Sequence, residues 1–377
     1  MTNHWKTKFM RSQILLSSLI ILSLAVGLGS CSKASELVTP SSYEPISSPY
    51  TTPTKLPVRP TETPRMGLSD AHIASLNSLD KIDDYPLYSM HYFGPYITPG
   101  FASASNETIN GLNYPSKPSA WACSLFVSLG DSENLLFGRN FDWEYSPALL
   151  LFTDPPDGYA SVSMVDIAYL GFKDDQVSSL TELPLEDREA LLRAPYLPFD
   201  GMNERGLVIG MAAVPFGQMS LDPNKETIDS LGIMRLILDN ASDVDQAVTF
   251  LSNHNIDYGS GPPLHYLIAD ISGRAILVEF YQGQMRLIPN ETPWHQATNF
   301  LLSAVNDPQG KCNRYDEISK EMIRVDGRLS PNGAFDLLSN VSQSNTQWSI
   351  LYHMSSGEID VAMNSQLDHP YKFQLSP

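Results

Sequence analysis

Residues 123–146 read CSLFVSLGDSENLLFGRNFDWEYS. The apolar run Cys123–Leu129 is followed by a polar turn, Gly130-Asp131-Ser132-Glu133-Asn134. A second apolar run then ends in Gly138, Arg139, Asn140 and Asp142. Two short β-prone segments around a turn of Gly, Asp, Ser and Asn predict a hairpin. Pairing of its strands brings the end of the second beside the start of the first, so Cys123 falls near Arg139 and Asp142. A thiol ionises where a positive charge faces it, and a free amine next to it can be held by a carboxylate. The stretch supplies one of each.

Outside this stretch, the bulk composition narrows the options. A chain of 377 residues with 42% apolar content can bury one large core or two small ones. The formal charge is −18, and residues 1–30 carry Lys6, Lys8 and Arg11 with no acid, so the remainder is more acidic still. Such a body argues against nucleic acid and against electrostatic docking on anionic lipid. Three cysteines, Cys31, Cys123 and Cys312, are too few for a disulfide framework.

The chain divides by composition. Residues 1–30 have the form of a targeting segment: a basic start, an apolar core from Ile14 to Gly29, and Leu28-Gly29-Ser30 before Cys31. This end resembles a bacterial lipobox, in which Cys31 is diacylated and becomes the new N-terminus. An ordinary secretory signal or an uncleaved anchor helix are the alternatives. The expected location is extracytoplasmic, with a lipid anchor on a bacterial cell membrane. Residues 31–66, rich in Pro, Ser and Thr, are expected to be a disordered tether. Residues 67–122 read as an N-terminal pro-segment, or α-subunit-like segment, with an aromatic, β-prone end near Tyr96 and an exposed loop over 97–118. The main domain is expected to be 123–377.

Within that domain, strands are predicted at Leu149–Phe152 and Tyr159–Phe172. Leu185–Ala194 has the pattern of a short amphipathic helix, and Phe199–Pro215 that of a turn and a buried strand. Helices follow from Thr227 and from Asp243, the second with Ser242 as its N-cap. Leu264–Asp270, Arg274–Tyr281 and Gln284–Pro289 form a meander. Helices at Asn313–Val325 and Pro331–Val341 come next, then strands at Gln347–His353, Glu358–Met363 and Tyr371–Leu375. Blocks of strands alternating with blocks of helices fit an α+β sandwich better than βαβ units.

The chain has no GxSxG, HExxH, paired CxxC or P-loop. His265 and His295 sit in strand-like surroundings and read as satisfied core groups. No metal or cofactor is expected. What remains is Cys123 with Arg139 and Asp142. A strand-opening cysteine followed by FGRNFDWEYS, and then by DGMNERGL at Asp200–Leu207, resembles the cysteine branch of the N-terminal-nucleophile hydrolases. The likeness is to the choloylglycine hydrolase, penicillin V acylase and acid ceramidase group of linear amide C-N hydrolases. The steps of 16 residues to Arg139 and 19 to Asp142 match that group, and Ala297-Thr298-Asn299, Asn313-Arg314-Tyr315 and Thr346-Gln347-Trp348-Ser349 support it.

The resemblance implies a four-layer αββα sandwich and autocatalytic cleavage before Cys123. It places Arg314 as a second active-site arginine and the Ala213 backbone N–H as an oxyanion donor. Gly261 falls where bile-salt-type members carry an asparagine donor, and Asn299 is the expected substitute. Asn203, in a turn sequence, is expected to cap backbone. The implied substrate is a small N-acyl amide. The chemistry is self-contained: a cysteine at a new N-terminus has a thiol and an α-amine titrating near pH 8, so one residue supplies nucleophile and base. A non-catalytic, lipid-anchored binder of acyl ligands with the same fold, and an acyltransferase, stand as alternatives.

Overall fold

The computed structural model describes residues 68–96, 122–172, 174–259 and 261–375. The signal segment and tether expected over 1–66, Cys31 included, and the loop expected over 97–118 lie outside the described residues. Nine strands form one sheet, in the spatial order β1 (Asp80–Asp83), β2 (Leu87–Tyr92), β5 (Ala148–Thr153), β6 (Ser161–Asp166), β7 (Asp200–Asn203), β8 (Val208–Ala213), β11 (Leu264–Ala269), β12 (Ala275–Tyr281) and β13 (Gln284–Pro289). Six form a second: β14 (Trp294–Ala297), β3 (Ala122–Ser128), β4 (Leu136–Asp142), β15 (Thr346–His353), β16 (Glu358–Met363) and β17 (Tyr371–Gln374). A short parallel pair, β9 (Glu226–Asp229) and β10 (His254–Asp257), stands apart. The expected hairpin is β3–β4, with Cys123 opposite Phe141 and Leu125 opposite Arg139.

Two glycines show how the layers stack. Gly210 has no side chain because a methyl there would lie 2.7 Å from Leu125 and 2.9 Å from Phe137, both on the other sheet. Gly201 pairs with Ile209, one residue out of step, so it faces the opposite side. A methyl at Gly201 would meet Leu238 at 2.8 Å, on helix α2 (Gly232–Asn240). Helix α3 (Val244–Asn253) packs beside α2. On the second sheet, Phe126, Leu136 and Leu351 point away from the first and pack on Ile318 and Met322 of α4 (Asn313–Val325) and Leu337 and Leu338 of α5 (Pro331–Asn340). The order is helix, sheet, sheet, helix, the four-layer αββα sandwich read from the sequence.

Local differences from the sequence reading have local causes. Leu185–Tyr196 is a 3-10 segment rather than an α-helix, and it contains Pro195, which has no N–H to give. The helix expected from Thr227 starts at Gly232, because residues 226–229 pair with β10. Asp229 then accepts hydrogen bonds from the N–H groups of Leu231 (3.1 Å) and Gly232 (2.7 Å), turning the chain. The cap of α3 is Asp243, not Ser242. Its carboxylate accepts from Gln246 N–H, and the Ser242 hydroxyl donates to that carboxylate instead. The strand expected to reach Phe172 ends at Asp166, whose side chain caps a 3-10 turn over Ile167–Leu170.

Residues 68–96 are built into this architecture. Helix α1 (Asp70–Asn77) covers β2, and β2 pairs in parallel with β5 over six register positions, Leu87 to Tyr92 against Ala148 to Thr153. Leu76, Leu79, Leu87, Tyr88, Met90 and Tyr92 are all buried. Burying six such side chains contributes on the order of 10 kcal/mol, before the surface they cover on β5 and β6 is counted. A chain severed between 122 and 123 is therefore expected to keep residues 68–96 bound to 123–375. The two fragments should elute together in size exclusion without denaturant, and a Met90→Asp change should release the smaller one.

Candidate active site

Cys123 opens β3 on the face turned toward the nine-stranded sheet, with Leu125 and Val127 beyond it. It is 3% exposed, and Arg139 and Asp142 are fully buried. Arg139 Nη2 lies 4.0 Å from the sulfur. Its Nη1 donates to Asp200 Oδ2 at 2.5 Å and to the Phe199 carbonyl, so the guanidinium bridges the two sheets. Asp200 also accepts from the Tyr352 hydroxyl at 2.5 Å and the Trp348 indole at 3.5 Å.

On the other side of Cys123 stands a second cluster. The Thr346 hydroxyl donates to Asp142 Oδ1 at 2.5 Å. Asp142 Oδ2 accepts no hydrogen bond, although Arg314 Nη1 lies 3.7 Å away. Arg314 reaches in from α4 and donates to the Cys123 carbonyl, to Ser124 Oγ at 2.9 Å and to Asn299 Oδ1 at 2.9 Å. Asn299 Oδ1 also accepts the Cys123 N–H at 2.5 Å, while its Nδ2 donates to the Ala213 carbonyl at 2.8 Å. Val214 N–H bonds the Pro263 carbonyl, so strand alternation turns the N–H and C=O of Ala213 to the other edge of β8. That is the edge where Asn299 meets its carbonyl.

Cys123, Arg139, Asp142, Asn299, Arg314 and Ala213, separated by up to 191 residues, thus meet at one point. Gly261 lies on the wall of the cleft that opens onto Cys123. The empty space of that cleft, open solvent at its mouth included, is about 480 Å³. Besides Cys123, Ala213 and Gly261, it is lined by Phe141, Trp143, Tyr169, Phe199, Met211 and Leu264, with Ser230, Leu231 and Pro262 completing the wall. Asn203 holds a turn, as expected. It donates to the carbonyls of Leu238 (3.0 Å) and Ala241 (2.7 Å) and accepts from Arg205 and Leu207 N–H.

Burial sets the electrostatics. It pushes the Cys123 thiol above its ordinary value, offset in part by the positive charge of Arg139. Burial also pushes Asp142 up to about 7, against Arg314, the Thr346 hydroxyl and Arg139. Asp200 is raised by burial too, though Arg139 opposes the shift.

Sequence reasoning did not single out Asp200, Thr346, Trp348, Tyr352 or Ser230. The first three lie inside DGMNERGL and TQWS, which were visible as motifs without roles. Nothing in the sequence marked Tyr352 or Ser230.

The site can be set beside known proteins. Residues 123–299 match the family model of the linear amide C-N hydrolases, choloylglycine hydrolase family, and the match begins at Cys123 itself. The chain resembles the choloylglycine hydrolases. Among solved structures, a conjugated bile acid hydrolase from Clostridium perfringens superimposes with a TM-score of 0.49 at 17% identity, over 67% of this chain and 92% of its own. A penicillin V acylase from Agrobacterium tumefaciens gives 0.44 at 15%, over 66% and 84%. The choloylglycine hydrolase family match supports amide hydrolysis, and it spans every site residue named above except Arg314 and those of β15.

The raised carboxyl of Asp142 makes a test in the uncut chain. A folded value near 7 against an ordinary 3.8 means the fold binds a proton more tightly than the unfolded chain does. The stability this group contributes is complete below about pH 4 and is lost as pH rises toward 7. In a Cys123→Ala background, Asp142→Asn is therefore expected to raise the melting temperature at pH 8, with the gap narrowing at pH 5 and closing only near pH 4. Melting curves across that range check it. An equal gap at both ends would show that the carboxyl is not raised.

Proposed function

We propose that the chain is an N-terminal-nucleophile cysteine amidohydrolase, matured by cleavage of the Ala122–Cys123 bond and acting on a small N-acyl amide. The observation that carries the reading is the cluster around the Cys123 nitrogen. That nitrogen donates to Asn299, and the buried Asp142 nearby has one oxygen without a hydrogen bond. A free α-ammonium at Cys123 would meet an acceptor already in place. Support also comes from Arg139 at 4.0 Å from the sulfur and from the family match that begins at this cysteine.

In the proposed reaction the α-amine takes the thiol proton as the sulfur attacks the amide carbonyl. The carbonyl π pair moves onto oxygen. Collapse breaks the C–N bond, and the leaving amine takes the proton back from the ammonium. Water, deprotonated by the same amine, then releases the acyl group from the thioester. Arg139 opposes the desolvation that raises the thiol, and Asp142 and Asn299 orient the amine. The Ala213 N–H is a donor to the oxyanion. Phe141, Trp143, Phe199, Met211 and Leu264 on the cleft wall suit an uncharged, apolar acyl group. The reading includes an extracytoplasmic location through a diacylated Cys31, supported by Leu28-Gly29-Ser30 before it and its apolar lead.

Intact mass and N-terminal sequencing of the wild type beside Cys123→Ala test the class. A fragment beginning at Cys123 is expected in the wild type alone, together with a thioester adduct when the cut enzyme is quenched with an N-acyl amide. An uncut chain in both, with no adduct, would sink the amidase reading and leave the acyl-binding one.

A further inference from the structure

We propose that Gln347, braced by Tyr85 from the segment that precedes Cys123, positions Trp143 in the cleft and so sets which acyl groups the enzyme accepts. Residues 68–96 are then a working part of the cut enzyme. The inference rests on the amidase reading above. Tyr85 and Gln347 are positioning residues in it: they act through Trp143 and touch no reacting atom.

The arrangement starts at a bulge. Thr346 stands opposite Asp142 and Trp348 opposite Phe141, so Gln347 is an extra residue in β15 with no ladder partner on β4. Its side chain is buried, and both lone pairs and both N–H groups of its amide are used. Oε1 accepts the Tyr85 hydroxyl at 2.9 Å and the Ser146 N–H at 2.9 Å. Nε2 donates to the Trp143 carbonyl at 3.1 Å and to the Asn345 carbonyl at 2.8 Å. Turning the amide over would set N–H against N–H and oxygen against oxygen, so one orientation is selected. The Asn345 carbonyl also accepts the Trp143 N–H at 3.1 Å. The main chain of Trp143 is thus clamped at both its N–H and its carbonyl.

Tyr85 is itself held in place. It sits in the turn between β1 and β2, where its N–H donates to Asp83 Oδ1 at 2.8 Å. The carbonyl of the next residue, Pro86, accepts the Ala148 N–H at 2.8 Å. The Tyr85 ring meets Tyr145 edge-on, with centroids 5.7 Å apart. The turn therefore lies against the stretch that follows Trp143. Toward the nucleophile, the Trp143 ring stacks with Phe141 at 6.0 Å, and Phe141 is the cross-strand neighbour of Cys123. All three residues line the cleft. An unbroken set of contacts thus runs from Tyr85 through Gln347 to the apolar wall beside the sulfur. None of them involves the Ala122–Cys123 bond. Cleavage leaves them in place and makes Tyr85 to Gln347 a contact between two fragments.

The test measures kcat and KM of the self-cleaved enzyme on N-acyl p-nitroanilides of increasing acyl length, with a melting curve for each variant. Tyr85→Phe keeps the ring on Tyr145 and removes only the hydroxyl. It is expected to raise KM for the longest acyl group accepted by roughly 3- to 10-fold, the worth of one hydrogen bond, with kcat and the KM of the shortest little changed. Gln347→Glu keeps the acceptor for Tyr85 and Ser146 but cannot donate to the two carbonyls, and should raise the same KM at least as much. Tyr85→Phe added to Gln347→Glu should cost nothing further, because Tyr85 acts through Gln347. Should Gln347→Glu fail to fold, the acyl-length dependence in Tyr85→Phe decides alone. An equal change along the whole series, a fall in kcat alone, a lower melting temperature with selectivity unmoved, or additive penalties would overturn the assignment while leaving the amidase intact. Failure of the wild type to turn over any anilide in a Cys123-dependent way would instead remove the amidase reading, and this inference with it.

Discussion

Among the described residues, one buried ion pair joins the two sheets at the point where the site residues converge. Arg139 on β4 and Asp200 on β7 are each fully inaccessible, and their contact of 2.5 Å crosses the sandwich. Taking both charges out of water costs several kcal/mol per ion, so such a pair is weak evidence for stability. It is strong evidence for a fixed geometry. Asp200 accepts from Arg139, Tyr352 and Trp348, and the Phe199 carbonyl accepts from the same guanidinium nitrogen. Nη2 faces the sulfur, and Nε makes no hydrogen bond among the described residues. Phe141, with the guanidinium 5.0 Å over its ring, closes the remaining side. The arginine can therefore lie 4.0 Å from Cys123 without swinging away, because Nη1 is tied to Asp200 and the Phe199 carbonyl.

That constraint has a chemical consequence. A thiol buried to 3% exposure and raised by desolvation does not rest as a thiolate. The Arg139 charge is largely answered by Asp200 and opposes this burial only in part. In the proposed mechanism the proton leaves as the sulfur attacks, toward the amine of the same residue, and no partnered histidine is needed. His265 and His295 serve elsewhere: His265 faces Glu279 at 3.3 Å, and His295 faces the Ile288 carbonyl at 2.8 Å.

How much of this could be read from the sequence follows from the range of each interaction. The hairpin was legible because alternation and turn chemistry are local, and Leu125 opposite Arg139 is their direct result. Helix α4 was legible to the residue, since its apolar face repeats every three or four positions and Gly327 follows a left-handed Asp326. Asp200 lies 61 residues from the arginine it holds, and no local pattern records a partner across two sheets. Ser230 was hidden for a different reason. The stretch from Thr227 reads as helix, while pairing with β10 makes it a strand and a corner, and the corner is what faces the cleft. Asn299 was placed at the site, but its two ends do work that only coordinates show. The carbonyl oxygen meets the Cys123 nitrogen, and the amide nitrogen is spent on Ala213.

The uncut chain has electrostatic features that the proposed maturation would relieve. Asp142 is raised to about 7, and its Oδ2 is a buried acceptor without a hydrogen bond. Such an orphan costs about 1–3 kcal/mol. The thiol is raised as well, for the same reason of burial. Converting the Cys123 amide to an α-ammonium would put one positive charge beside both groups, and a nearby opposite charge within about 4–6 Å favours the ionised form of each. Asp142 Oδ2 would gain the hydrogen bond it lacks, and the thiol a counter-charge that Arg139, tied to Asp200, provides only in part. On this view the precursor is held in a less favourable charge state than its product, and breaking the Ala122–Cys123 bond improves the site electrostatically as it creates the base.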